Sequence, residues 1–375
     1  MMRLLPFHTR TGRLRTPRRP AKPLGRWPER WHGVRMAQDV ARQVADQVRT
    51  GFGLQLSTME RVTSGADQHA RLWLAQAADG SRYAVKLSGG GTPAGLVVTA
   101  YLAEQGVPGI AAPLRADDGR LSIDHDGRRL SVVPWVSDQR ALDGPMAGAH
   151  WRAYGEVLAA VHEVPVTDEL SRLLPAGGAA YPSIVTATRA MAARLRDPDP
   201  LDLADPLVVE LAGVWSAVAD RLGVLTREVE RRAVDQRDRP GANVVCHGDP
   251  HLGNLLLGAD GQVWLIDWDD AVLAPPECDL MFVLGGVLAF APITAEQQQA
   301  VLAGYGKPDV DRVRLAWFLA VRALDDLSDW TRQALDLDAE AADRDRAARI
   351  VRGLVSPAGL VTLAHAALRD SDRRP

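Results

Sequence analysis

Near residue 137 the hydrophobic pattern of this chain changes period, and that change limits its possible architectures more than any other feature. Upstream, apolar residues alternate at a period of two in "LQLSTMERVTSG", "ARLWLAQAADGSRYAVKL" and "RLSIDHDGRRLSVVPWV", with the turn signals "ADG", "DDG" and "HDG" between them. One helical stretch interrupts, "TPAGLVVTAYLAEQG", with Pro93 in its first turn and Gly106 at its end. Downstream the period is mostly helical, in "HWRAYGEVLAAVHEV", "PLVVELAGVWSAVADRLGVLTREVERRAV", "ITAEQQQAVLAGYG" and "VDRVRLAWFLAVRALDDLSDWTRQAL". The exception is a short hairpin in which "NLLLG" and "QVWLID" flank "ADG". The pattern predicts an α+β fold of two lobes, a small β-rich lobe over 36–136 and a larger helical lobe over 137–375, joined through "VVPWV". With 375 residues, 46% of them hydrophobic, the chain has apolar material for both.

The first 35 residues follow neither period. Nine arginines and Lys22 face a single acid, Glu29, and prolines punctuate the run, so it reads as a disordered basic tail. The amphipathic stretch "MAQDVARQVADQVRTGFGL" from Met36 is a natural beginning. The tail is therefore expected to be upstream sequence carried in frame rather than a nucleic-acid-binding arm or a targeting peptide. No apolar run of the roughly 18 residues needed for a membrane span is evident, nor the apolar segment of a secretory signal. The expectation is a cytoplasmic protein with neither membrane nor nucleic acid as partner. Cys246 and Cys278 are too few for a disulfide framework and read as ordinary packing.

The chain holds only three lysines, Lys22, Lys86 and Lys307, against forty-one arginines. A lysine in a half-buried strand is therefore noteworthy, because a compact ammonium is not interchangeable with a guanidinium where it must meet a phosphate. Lys86 stands in "SRYAVKLSGG", with Tyr83, Val85 and Leu87 on the alternate positions. Farther on, "VVCHGDPHLGNLLLGADGQVWLIDWDDAVLAPPECDL" crowds His247, Asp249, His251, Asn254, Asp267, Asp269 and Asp270 into residues 244–280. Zinc would ask for finger or H-E-x-x-H spacing, which Cys246, His247 and His251 do not have. Loop capping by Asp and Asn does not call for an upstream lysine strand. A strand lysine, an interlobe segment, an Asp followed five residues later by Asn, and a hairpin ending in Asp are the ordered parts of a protein-kinase-like catalytic core.

These residues carry a resemblance. "HGDPHLGN" with "LIDWDD" resembles the signature of the aminoglycoside phosphotransferase and choline kinase family. The wider set "SGADQHARLWLA", "YAVKL", "VVPWV", "LAPPECDLMFVLGG" and "GYG" is similar in order to the spectinomycin phosphotransferases, from Met36 onward. The resemblance implies ATP and Mg²⁺, with Asp249 as catalytic base, Asn254 and Asp267 as magnesium ligands, and Lys86 on the ATP phosphates. It also implies a phosphate-covering loop at Ser64 and Gly65 and adenine facing the backbone of Val133 to Trp135. His247 is expected to support the catalytic loop by hydrogen bonding. One departure stands out. Protein kinases position the strand lysine with a Glu early in the next helix, yet here Pro93 is followed by no acid until Glu104. Another carboxylate, or the bound phosphates, must orient Lys86.

The expected acceptor is a small molecule that offers a hydroxyl and carries positive charge, because carboxylates gather near the site. Asp269, Asp325 and Asp326 are its candidate contacts; Arg322, Asp325, Asp326 and Asp329 also share one helix face, where an ion pair is the plainer reading. An aminoglycoside or aminocyclitol such as spectinomycin fits the resemblance, with antibiotic inactivation as the role. A kinase of choline, homoserine or a sugar amine shares the same phosphate machinery. A nucleotide-binding pseudokinase module would not need Lys86, Asp249, Asn254 and Asp267 together.

Overall fold

The computed structural model describes residues 30–62, 70–90, 92–200, 202–238 and 241–371. The tail before residue 30 and the Ser64–Gly65 loop lie outside the described residues. Two compact units divide the chain, Met1–Val44 and Ala45–Pro375. In the first, the described part is the start of helix α1 (Arg30–Phe52), which begins inside the stretch expected as tail.

The second unit opens with the β-rich lobe: β1 (Leu56–Val62), β2 (Ala70–Ala77), β3 (Arg82–Ser88), α2 (Ala94–Glu104), β4 (Ile123–His125) and β5 (Arg128–Pro134). Its five strands form an antiparallel sheet in the order β1-β2-β3-β5-β4. Cross-strand register sets which face each residue takes. Trp73, Val85 and Val132 lie opposite one another and are buried. The neighbouring row, Leu72, Lys86 and Ser131, takes the other face. Gly106, at φ 75°, closes the end of α2 where the sequence placed it.

The helical lobe contains α3 (Gly148–Glu163), α4 (Asp168–Leu173), α5 (Tyr181–Arg196), α6 (Pro206–Ala217), α7 (Ala219–Asp238), β6 (Val244–Cys246), β7 (Leu255–Leu257) and β8 (Val263–Leu265). It continues through β9 (Val272–Ala274), α8 (Glu277–Leu284), α9 (Ala295–Tyr305), α10 (Arg312–Ala334), α11 (Ala341–Val355) and α12 (Leu360–Ser371). The expected hairpin is β7–β8, turning at Asp260 and Gly261 with φ of 56° and 83°. The stretch of helical period over 206–234 divides into two helices. Val218 leaves helical dihedrals, so that Leu211, Trp215, Leu222, Leu225 and Val229 all face the same core. Composition alone also misleads at Ala341–Ser371, whose apolar window has a mean hydropathy of 1.3, enough to cross a membrane. The chain breaks there between α11 and α12, and Val351, Leu354, Leu360, Val361 and Leu368 pack into the core with α10.

Two cores flank the functional loops. One joins α5 to α7 with α10 to α12. The other holds α3, β7 and β8 together with Ala94, Val98 and Leu102 of α2, so that helix shares its packing with the hairpin. Gly95 explains how close it comes: a Cβ there would lie 2.6 Å from the carbonyl oxygen of Trp268.

Candidate active site

The loop between β6 and β7 carries His247, Asp249, His251 and Asn254, and buried Asp279 of α8 fixes its start. The carboxylate of Asp279 accepts the backbone N–H groups of His247 and Gly248, each at 2.8 Å, and lies 3.0 Å from His162 Nε2. His162 Nδ1 meets the hydroxyl of Tyr305 at 2.6 Å. Gly248 sits at φ 86°, where a side chain would strike the carbonyl of Asp270. His247 is fully buried; its Nε2–H donates to the Ile266 carbonyl at 2.9 Å and its Nδ1 accepts the Asp249 N–H at 3.2 Å. Burial holds this imidazole below its ordinary pKa, so it is a neutral brace between the loop and the strand end.

Asn254 and Asp267 come together through the hairpin. Leu255 pairs with Leu265, and the Ile266 N–H donates to the Asn254 carbonyl at 2.9 Å. Asp267 follows in the left-handed region, φ 64° and ψ 68°, at the turn where β8 ends. Asn254 Nδ2 donates to the Asp249 carbonyl at 2.9 Å and lies 3.4 Å from Asp249 Oδ2. That bond commits the amide nitrogen inward and leaves Oδ1 as the atom able to bind a cation. Asn254 Oδ1 and the half-exposed carboxylate of Asp267 are hard oxygen donors of the kind Mg²⁺ takes while keeping waters and phosphate oxygens as its other ligands, so the residues fit that ion.

Lys86 has its carboxylate partners in the same turn. Its Nζ lies 2.7 Å from Asp269 Oδ2 and 3.4 Å from Asp267 Oδ1. Burial opposes the ammonium, but the two carboxylates outweigh it and raise its pKa. Glu104 is elsewhere, exposed and paired with Arg115 at 2.7 Å. The position a kinase gives to a helix acid is taken by Asp269, which therefore faces Lys86 rather than serving as the acceptor contact expected from the sequence. Val133 and Trp135 stand at and just beyond the end of β5. The Trp135 N–H donates to the Arg82 carbonyl at 2.9 Å, and its indole N–H to Asp138, which also pairs with Arg82. Past this point Ala141 N–H donates to Leu255 O, tying the interlobe segment to the hairpin.

Asp249 occupies a more enclosed position. Burial pushes its carboxyl up to about 7; the Arg322 guanidinium works against this, and Asp270, Asp326 and Asp267 add to it. Arg322 Nη1 of α10 lies 3.0 Å from Asp249 Oδ1, an ion pair whose angles are outside those of a hydrogen bond, so the buried oxygen has no donor aimed at it. Arg322 Nε reaches Asp326 Oδ1 at 2.7 Å, and the guanidinium carbon stands 5.2 Å from the centre of the Phe282 ring. Asp326 and Asp249 hold Arg322 protonated, with its pKa raised despite burial. On the other side of Asp249, His251 Nδ1 accepts the Gly253 N–H at 2.9 Å, which puts its proton on Nε2, 3.5 Å from Asp249 Oδ2. Burial, then Arg322 and His247, depress His251 to about 4, so it is neutral.

Asp325 and Asp270 hold neither a hydrogen bond nor an ion pair among the described residues, and burial followed by Asp326 lifts Asp325 to about 6. Asp329 turns away to Arg332 and Gln333. Trp268 and Trp317 are buried in the two cores. Sequence reasoning missed two contacts. The helical period placed Arg322 beside Asp326 but carries no information on its approach to Asp249, 73 positions away. Asp279 lay within a quoted motif with nothing local to suggest that it grips the loop.

A β-sheet lobe and a helical lobe, with a lysine strand, a loop Asp and Asn, and a hairpin Asp converging on one cleft, define a protein-kinase-like fold. Residues 58–318 match the sequence model of the phosphotransferase enzyme family, APH, and the chain belongs to that family. It is an ATP-dependent phosphotransferase. Its fold is similar to that of the spectinomycin phosphotransferase APH(9)-Ia, solved with ADP and spectinomycin, at a TM-score of 0.75 and 23% identity over 87% of this chain and 98% of that one. The amicoumacin kinase hAmiN, solved with AMP-PNP, Ca²⁺ and its antibiotic, aligns at 0.59 and 18% identity over 86% and 95%. The aminoglycoside phosphotransferase APH(4)-Ia, with ADP and hygromycin B, aligns at 0.55 and 14% identity over 90% and 100%.

Proposed function

We propose that this phosphotransferase moves the γ-phosphoryl group of ATP to a hydroxyl of a small cationic antibiotic, an aminoglycoside or aminocyclitol such as spectinomycin, and so inactivates it in the cytoplasm. The observation that carries the reading is the placement of Asp249 between Asn254 of the hairpin and the acid-rich face of α10. On the nucleotide side, Lys86 would exchange part of its contact with Asp269 and Asp267 for phosphate oxygens. The backbone of Val133 to Trp135 would border the adenine; Ser64 and Gly65, expected from the sequence to cover the phosphates, lie outside the described residues. Residues 36–136 then form the ATP-binding lobe, and 137–375 supply the catalytic loop and the acceptor site.

Asn254 and Asp267 would hold Mg²⁺, which supplies neutralisation of phosphate charge. Asp249 accepts the acceptor's hydroxyl proton. The oxygen bonds to the γ-phosphorus as the bond from that phosphorus to the bridging oxygen breaks, and ADP leaves. Positioning and fixed charge carry most of the rate, since such transfer asks little covalent chemistry of the protein. Asp270, Asp325 and Asp326 outnumber Arg322 on the acceptor side, which favours a substrate bearing ammonium groups. An ATP-consumption assay with spectinomycin, choline and a kanamycin-type acceptor tests this. Consumption that depends on spectinomycin upholds the reading. Turnover with choline alone moves the chain to metabolite phosphorylation, and Mg-ATP binding with no turnover of any acceptor rejects transfer.

A further inference from the structure

The proposed base has two unlike carboxylate oxygens. Oδ1 is buried and faces the Arg322 guanidinium at 3.0 Å, with no hydrogen-bond donor directed to it. Oδ2 lies 3.4 Å from Asn254 Nδ2 and 3.5 Å from His251 Nε2, contacts too long to saturate an acceptor atom. Arg322 has two further neighbours, Asp326 at 2.7 Å from Nε, an ion pair likewise outside hydrogen-bond angles, and the face of Phe282. Its charge therefore keeps an anionic partner whatever happens to Asp249. No other cationic side chain among the described residues is paired with Asp249.

We propose that Arg322 is a positioning residue for phosphoryl transfer: it pins Asp249 Oδ1, so that Oδ2 is the oxygen that receives the acceptor's proton. The inference rests on the assignment of Asp249 as base. As the acceptor O–H bond breaks, its proton goes to Oδ2 and its oxygen to phosphorus, and Asp249 becomes neutral. Asp326 then remains as counter-ion to the guanidinium, so no buried cation is stranded, an event that is costly where partners are lost. Asp326 in this account serves Arg322 before it serves any acceptor, and α10 becomes part of the base's support.

The test uses the full chain with Mg-ATP and either spectinomycin or water as acceptor, since hydrolysis needs no identified alcohol. Arg322→Gln is expected to lower kcat about tenfold to a hundredfold while KM for ATP stays within about twofold, and Arg322→Lys is expected to recover part of that loss. Because Arg322 acts through the base, adding Arg322→Gln to Asp249→Asn should cost no further activity. A kcat for Arg322→Gln within about twofold of the parent overturns the proposal, as does a loss fully additive with Asp249→Asn, or a rise in KM for ATP at unchanged kcat. Thermal unfolding checks that each variant is folded; should the glutamine variant be unfolded, the lysine variant alone decides, upheld by a kcat loss at constant KM and overturned by parent kinetics. If the parent consumes ATP with no acceptor, water included, the assignment of the base falls first and takes this inference with it.

Discussion

The two ends of the catalytic cleft are wired differently. At the nucleotide end, Lys86 bridges to Asp267 and Asp269, carboxylates about half exposed, at 51% and 50%. At the acceptor end, the Arg322 contacts with Asp249 and Asp326 involve side chains no more than 23% exposed, backed by Phe282. Lys86, at 25% exposure, is as enclosed as Arg322, so the contrast lies in the carboxylates: half-exposed ones are solvated and screened, and ligand phosphates can take their place at smaller cost. Enclosed pairs are costly to break and hold their geometry. On the proposed assignment, the nucleotide end is suited to be remade at each turnover, and the acceptor end to stay put.

Substitutions can break that contrast, and the largest expected effect is at Asp249, the proposed base. Asp249→Asn is expected to lower kcat by about a hundredfold to ten-thousandfold while leaving Mg-ATP affinity near normal, as read by steady-state kinetics beside calorimetric titration with nucleotide. Parent-like turnover would remove Asp249 from its role. Lys86→Met acts at the remade end and should appear mainly as nucleotide affinity, weakened about tenfold to a hundredfold, the loss of a charge-assisted contact. Lys86→Arg should not restore it, because the fork does not reproduce a point charge. Asp279→Ala strips the fixed end of its anchor and leaves the His247 and Gly248 amides without a buried acceptor; urea unfolding should report a loss of about 3 kcal/mol.

The smallest effect sharpens the contrast through pH. The folded-state pKa of Asp325 is about 6, above its ordinary 3.8, so the folded chain binds more protons than the unfolded one between those values. Its contribution is therefore harmless below pH about 4 and increasingly destabilising as pH rises toward 6. Asp325→Asn should raise Tm at pH 7.5 by a few degrees at most and leave it unchanged at pH 4, measured by scanning calorimetry. An equal rise at both pH values would show that charge is not the cause.

The lobes and the hairpin were legible in the sequence because both rest on local periodicity. Trp73, Val85 and Val132 alternate with their neighbours, and the "ADG" turn names its own geometry. The same hairpin sets Asn254 and Asp267 at its two ends, a placement its pattern already implied. The partner of Lys86 was not. Its separation from Asp269 is 183 residues; with no acid early in α2, the sequence left open only another carboxylate or the bound phosphates, and nothing local names Asp269. Arg322 and Asp279 escaped likewise: their contacts cross the fold between helices and the loop, and periodicity reports which face a residue takes but not what lies opposite. The break at Val218 and the division of Ala341–Ser371 were tertiary decisions, made by what the cores could accommodate.

The seat of α2 on the Trp268 carbonyl, through Gly95, has a consequence for control. In protein kinases the helix that carries the lysine's acid can swing out, and activity is switched by moving it. Here the acid rides on the turn beneath the helix, and the helix is clamped to that turn with no room for a side chain. Displacing α2 would disturb the floor of the site without uncoupling Lys86 from its partners. Movement of α2 alone would therefore not separate Lys86 from its carboxylates, as it does in kinases whose helix carries the acid.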